Sequence, residues 1–530
     1  MGILGTQSYL KNTQLVPANG GSLTMAVVGS PRFLNPVLSQ LNNPDRDLTP
    51  LFFSALMKYD SQGKLIGDLA ESYSISEDGK TYDLTLRKNI NWQDGKPLTI
   101  DDVIFTLQTI QNSEYKSPLW ALWQGADFEK MDDQTIRFNL KSPYAPFLYT
   151  LTFGILPKHI WQNVSPSQFP LTEFNLKPIG SGPYQFSKFV KDSDGNIKSI
   201  EIKSNNQYFL GEPYISKITI QFYDTEEAAL SAYNKGGVDA FSSISTKTEQ
   251  ELQSKNSEIE IYSIKLPRYF AVFFNQMQNP VLADKNVRQA LAFATDKEST
   301  IKDVLNGEGA AVDSPILQGM TGFNEQIKKY DFNIDQARAI LESAGWKDSD
   351  NDGILDKANQ KLEITITTND RPDLIQTAQL LQGQWQQVGM KVNLDIQDSA
   401  RIQNEIIRPR QFETLLFGEV LGLEPDPFSF WHSSQKKDPG LNLAQYENID
   451  ADKLLIDARQ DMDSNSRAQK YQQFCSLVAE DLPAIFLYNP NYLLAVTSRV
   501  QGIEFKNLNN ISSYFDQINN WYINTKRAWR

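Results

Sequence analysis

Cysteine and histidine are almost missing from this chain of 530 residues, which holds one cysteine and two histidines. A lone Cys475 excludes an internal disulfide, a state compatible with the cytosol or with an exported protein that does without bridges. Its surroundings, YQQFCSLVAEDL, read as the apolar face of a helix, so the thiol is expected to be a small core residue rather than a nucleophile. His159 and His432 are isolated and cannot form a nickel or zinc cage. No G-x-S-x-G elbow occurs, which counts against a serine hydrolase. Basic charge is also short: the net charge of −13 argues against nucleic acid, whose phosphates would be repelled. No run of about 18 apolar residues exists, so no helix is expected to span a membrane. The opening MGILGTQSYLKNTQLVPANGGS lacks a charged start followed by an apolar core, so no export signal is read there, and residues 1–21 are expected to be a polar tether or linker.

What is present is an α/β grammar. At about 100–200 residues per domain the length suggests roughly three lobes. Period-two stretches read as strands at YDLTLR (82–87), TIRFNL (135–140), KITIQF (217–222), LEITIT (362–367) and MKVNLDI (390–396). Helical stripes lie between them. Val287, Ala290, Leu291 and Ala294 share one face; Ala337, Ile340, Leu341 and Ala344 share another, with Asn333 as N-cap and Gly345 at the C-terminal end. Leu374, Ala378, Leu381, Trp385 and Val388 form a third stripe, stopped at Gly389 before the next strand. Asp194–Gly195 supplies a hairpin tip. Repeated helix–Gly–strand units imply sheets covered by helices.

The segment from residue 68, DLAESYSISEDGKTYDLTLRKNINWQDGKPLTIDDVIFTL, closely resembles the signature region of the family 5 extracellular solute-binding proteins, the peptide receptors of ABC importers. Leu69 to Ser72, Leu86–Arg87, Trp92, Asp94–Gly95, Pro97–Leu98–Thr99 and Asp102–Val103 carry the likeness. PIGSGPYQF (178–186), VRQALAFATDKESTI (287–301), ILPKHIW (155–161), DQARAILESAGW (335–346) and LPAIFLYNP (482–490) follow in the family's order. The resemblance implies a type II periplasmic-binding-protein fold of the large, hinged, three-domain form. Domain I would comprise 22–59, 179–270 and 487–530, domain II 60–178 and domain III 271–486, with hinge crossings near 270–276 and 485–490 steadied by Asn275 and Asn489. It implies a monomeric extracytoplasmic receptor, free in the periplasm or tethered at the cell surface. Hinge closure would enclose an oligopeptide in an interdomain cleft, for delivery to a permease and its ATPase subunits, with no required cofactor.

Matching segments nominate Phe33, Asn35, Trp123, Tyr269, Gly418, Glu419 and Tyr488 as ligand-binding; core packing is the other reading of each aromatic. The stretch EVLGLEPDPFSFWHSSQ (419–435) resembles the family's domain III loop, where some members place an aspartate against the ligand's α-ammonium. The matching place falls at Leu423 or Leu421, neither charged, leaving Glu419 as a substitute or as a solvated loop acid. The Glu-Pro and Asp-Pro steps favour extended geometry and a stiff rim. His432 is expected to bond to backbone in a capped turn. In DSDNDGILDK, Asp348, Asp350, Asp352, Ile354 and Asp356 take five positions of a calcium loop, with Gly353 at the turn and Asn359 where a bidentate Glu belongs. Either a structural calcium or an empty Asx-turn loop fits that pattern. Other readings of the chain are a receptor for a sugar or metal chelate, a peptide hydrolase, or a sensor on the same fold.

Overall fold

A computed structural model gives the fold and describes residues 12–255, 258–505, 508 and 511–529. The chain forms two compact units. The first comprises residues up to 143, 147–264 and 492 onward; the second comprises 144–146 and 265–491. Apart from the short excursion at 144–146, the chain passes between units at 264/265 and 491/492, a few residues outside the crossings expected at 270–276 and 485–490.

In the first unit, Ala240–Ser242, Ser22–Val28, Lys217–Tyr223, Ile197–Ser204 and Tyr184–Lys191 are successive neighbours in one sheet. Ser22–Val28 runs parallel to both of its neighbours in this series. The hairpin tip between the last two strands turns at Gly195, with φ +88°, a left-handed conformation that suits glycine. The Asp192 carboxylate, rather than Asp194, gathers the tip's N–H groups, accepting from Asp194 and Asn196. A second, antiparallel sheet orders Ala70–Ile75, Thr81–Leu86, Thr135–Leu140 and Ala126–Lys130. The helix Ile100–Gln111 opens with a capping box of Thr99 and Asp102. The expected tether gives way over part of its length: Thr13–Ala18 is a strand paired antiparallel with Asn524–Trp529. Its backbone finds partners 506 to 516 residues along the chain, which no local pattern announces.

In the second unit, Lys391–Gln397, Glu363–Asn369, Thr414–Val420, Arg268–Phe274 and the first part of Ala484–Thr497 form one sheet. Arg268–Phe274 reads RYFAVFF, apolar almost throughout, because both of its faces are buried. Phe270, Val272 and Phe274 enter a core with the helices Lys285–Phe293, Ile334–Ser343 and Pro372–Gln386. Tyr269, Ala271 and Phe273 enter the opposite core, with the helices Ile449–Gln460 and Ser464–Asp481. Asn333 caps Ile334–Ser343 by accepting the Gln336 N–H at 2.9 Å, and Gly345 and Gly389 stop their helices at φ +89° and +82°. Asn489 donates to the carbonyls of Leu266 and Arg268, and Asn275 to that of Arg410, satisfying buried main chain as expected.

Candidate functional site

The strand Thr414–Val420 feeds the loop that ends in the one-turn helix Phe428–Trp431. Two ion pairs hold the acids of this loop. Glu424 meets Arg467 at 2.9 Å and accepts from Thr321 Oγ1 at 3.3 Å, with the Glu424 and Arg467 side chains only 7% and 10% exposed. Asp426 meets Arg459 at 3.0 Å and accepts the Tyr144 hydroxyl at 2.9 Å. The Arg459 guanidinium also lies over the rings of Phe428 and Tyr144, at 4.3 and 4.9 Å from their centroids. The Glu424–Arg467 pair is nearly buried, and such a pair breaks only at a cost of several kcal/mol; the Asp426–Arg459 pair is half-buried and held also by Tyr144, so both acids work as struts.

Glu419 is neither a solvated acid nor turned outward. In the antiparallel register it faces Tyr269 across the strands, and its Oε2 accepts the Tyr269 hydroxyl. It is 3% exposed, its Oε1 has no hydrogen-bond partner among the described residues, and burial pushes its carboxyl up to about 8. At neutral pH it is a protonated core acid. Gly418 lies opposite Phe270, whose ring stands where a Cβ would be, 2.8 Å away. Tyr488, fully buried, shares a 3.0 Å hydrogen bond with Thr377 Oγ1 and packs on Phe270 at 5.4 Å.

His432 caps a turn, as expected. Its Nδ1 accepts the Ser434 N–H at 3.1 Å, its ring stacks on Phe428 at 4.2 Å, and burial lowers its pKa. Nε2 stands 3.9 Å from Asp452, beyond hydrogen-bond reach, while Asp452 is bound to Ser433. Nδ1 also lies 2.8 Å from the Ser434 hydroxyl, but Nε2 has no hydrogen-bond partner among the described residues, so no acid orients the ring as a nucleophile–base pair requires. Cys475 is fully buried, and burial pushes its thiol up to about 12.

Of the nominated residues of the first unit, Asn35 and Trp123 lie in its interior. Asn35 is fully buried: its Oδ1 accepts from the Val37 and Leu38 N–H groups at 2.9 and 3.1 Å, and its Nδ2 donates to Asn175. Phe33, two residues earlier, is half-buried. Trp123, 1% exposed, packs edge-on against Phe147 and Phe153 at 6.0 and 5.6 Å.

In the acidic loop, carboxylate oxygens of Asp348, Asp350 and Asp352 lie within 4.8 Å of one another. Asp356 does not join them; its carboxylate is bound by the Ser349 hydroxyl and N–H. Ile354 donates its N–H to Asp352 at 2.9 Å. The Lys361 ammonium bridges Asp350 and Asp352 at 2.7 and 2.8 Å, supplying positive charge where a cation would. Of the five expected positions, Asp348, Asp350 and Asp352 lie close enough to share a cation, and Asp356 does not join them.

Sequence reasoning missed Tyr144, Arg459, Arg467 and Thr321. Each holds a loop acid from 33 to 282 residues away in the chain, and none sits in a motif.

Solved structures share this architecture. One is the oligopeptide-binding protein AppA of Bacillus subtilis in complex with a nonapeptide: TM-score 0.77, 30% identity, covering 96% of this chain and 99% of that one. Another is NikZ of Campylobacter jejuni in complex with Ni(L-His): TM-score 0.79, 27% identity, covering 94% and 99%. The fold is that of the type II periplasmic binding proteins, a class of hinged solute receptors. Among curated proteins, the oligopeptide-binding protein AppA of Bacillus subtilis strain 168 is 31% identical over 528 residues, 97% of this chain and 95% of that protein. The family model described as bacterial extracellular solute-binding proteins, family 5 middle, matches residues 64–440, and the chain belongs to that family. It is accordingly an extracytoplasmic solute-binding protein and not an enzyme. Among the described residues no helix is long and apolar enough to cross a membrane.

Proposed function

We propose that this chain is the receptor of an ABC importer, capturing oligopeptides outside the cytoplasm and handing them unaltered to a membrane permease and its ATPase subunits. One observation carries the reading: similarity along nearly the whole chain to an oligopeptide-binding protein and to a solved relative holding a nonapeptide. The three-domain division, the hinge closure, the monomeric state and a periplasmic or surface-tethered location belong to the same proposal. With Glu424 and Asp426 held by arginines, affinity would come mainly from the ligand's main chain, in the extended, strand-like mode that tolerates many side chains.

A second reading, a metal chelate or other non-peptide solute, is favoured by the uncharged Leu421 and Leu423 and by the relative that holds Ni(L-His). Mass spectrometry of whatever co-purifies separates the two. Tryptophan fluorescence against a peptide library then measures affinity, expected between micromolar and nanomolar, about −8 to −12 kcal/mol. No response to any peptide, with saturable binding of a chelate, would replace the first reading by the second.

A further inference from the structure

The paired strands Thr13–Ala18 and Asn524–Trp529 form a two-stranded sheet of their own in the first unit and, among the described residues, join no other strand. Two strands alone bury little and are marginal in water unless something packs on them. Here apolar surface stays open: Leu15 is 62% exposed and Trp529 70%. The register sets Leu15 opposite Arg527 and Thr13 opposite Trp529, so Leu15, Arg527 and Trp529 share one face. Lys526, opposite Val16 on the other face, is exposed, on a stem long enough to bring its ammonium past the ribbon's edge. Arg527 donates to the Thr13 hydroxyl at 3.0 Å. The charge of these segments runs against that of the chain. All 64 acids lie between Asp45 and Asp516. Residues 1–21 carry Lys11, and residues 517–530 carry Lys526, Arg527 and Arg530, with no acid in either, in a protein of net charge −13. Glu212, near the foot of the ribbon, is bonded by Asn19 Nδ2 at 3.0 Å and Ser204 Oγ at 3.2 Å.

We propose that this ribbon docks on a lipid bilayer through anionic headgroups, with Lys526 and Arg527 at the phosphates and Trp529 and Leu15 at the interface. Lysine and arginine meet phosphate oxygens in charge-assisted hydrogen bonds. Tryptophan, an apolar ring with one N–H, suits the headgroup level of a membrane. Size separates a bilayer from a protein partner. Six residues long and two strands wide, the ribbon offers roughly 200 Å² a face. A stable protein interface needs about 800 Å² from each side, whereas a membrane contact gains from each cation and ring separately. Docking would fix which side of the receptor faces the membrane. The inference does not depend on which solute the receptor carries.

The test is co-sedimentation of the full chain with vesicles of mixed phosphatidylglycerol and phosphatidylcholine, and with vesicles of phosphatidylcholine alone, in about 0.1 M sodium chloride. A chain of net charge −13 is otherwise repelled by the anionic vesicles, so a preference for them reports a local patch. The expected result is binding about tenfold or more tighter to the anionic vesicles, lost near 1 M salt, where charges act over only about 3 Å. At about fivefold per cation, Lys526→Gln with Arg527→Gln should lose about 25-fold. Lys64→Gln with Lys235→Gln, exposed elsewhere in the same unit, should lose less than about twofold. Brominated lipid gives a second readout: it should quench wild-type tryptophan emission and quench Trp529→Phe less. Peptide affinity, measured separately, reports on the receptor reading alone. Equal or weaker binding to the anionic vesicles would overturn the proposal and leave an acidic protein surface as the ribbon's cover. Equal losses in the two double variants, or quenching unchanged in Trp529→Phe, would overturn it as well.

Discussion

Glu419→Gln should remove a pH-dependent loss of stability from the second unit. The carboxyl is raised from the usual 4.5 to about 8, with burial as the main cause and the Tyr269 hydroxyl opposing it. Between those two values the folded chain keeps a proton that the unfolded chain has released. This stabilising contribution is thus complete below about pH 4.5 and is lost as pH rises to about 8. At about 1.4 kcal/mol per pH unit the loss is on the order of 5 kcal/mol, an upper figure because the core relaxes around a charge. Glutamine stays neutral and keeps an oxygen to accept from Tyr269, so its stability should be nearly level over the same range. The assay is urea unfolding of both proteins at intervals from pH 5 to pH 9. Asp47 and Asp516, raised to about 6 and about 7 by burial, titrate in both proteins and cancel in the difference. The variant should be equal to or slightly weaker than wild type at pH 5 and stronger by several kcal/mol at pH 9. A difference that stays constant across the range would refute the assignment of Glu419 as a protonated core acid. Peptide affinity should change less than about threefold; a tenfold loss would show that the carboxylate reaches an ammonium after all.

Lys361→Gln should free Asp350 and Asp352, beside Asp348, from their internal ammonium, so millimolar calcium should raise the variant's Tm by a few degrees and the wild type's by less. Equal shifts would show that Lys361 does not compete for the site. Gly418→Ala puts a methyl 2.8 Å from the Phe270 ring and should cost about 1–3 kcal/mol in urea unfolding, since the ring is confined by Tyr488. Cys475 should resist a thiol reagent in the native protein at pH 8 and react fully in guanidinium; rapid native labelling would contradict its burial.

Elements whose information is local were legible in the sequence. The cap at Asn333, the stops at Gly345 and Gly389, and the strands around 82–87, 135–140 and 217–222 follow from periodicity and left-handed glycine within a few residues. The ordered motif blocks carried the family and the fold. What stayed hidden depends on distant partners. A strand at 13–18 exists because 524–529 lies beside it, and a polar, Pro-containing stretch does not reveal that. Glu419 looked like a loop residue because a glutamate among turn-forming residues usually is one; Tyr269, 150 residues away, makes it a strand residue facing a core. The ends of the 484–497 run were equally obscure, since an apolar stretch buried on both faces has no period to mark where one unit stops.

The same distance argument explains the acids of the 419–435 stretch. Acids beside prolines, a histidine and two serines look like reactive chemistry when read in one dimension. In the folded chain Glu424, Asp426, Glu419 and His432 each meet a partner that fixes a position: Arg467, Arg459, Tyr269 and the Ser434 N–H. A receptor for varied peptides gains from this arrangement. Under the proposed main-chain recognition, bonds to the ligand's backbone are worth most when the groups presenting them are already held still. Loosening the loop should then weaken every peptide by a similar factor rather than change which peptide is preferred. Asp426→Asn, which weakens the Arg459 pair without adding bulk, is the variant that tests it: a uniform loss across a peptide library supports the strut role, and a reordered preference refutes it.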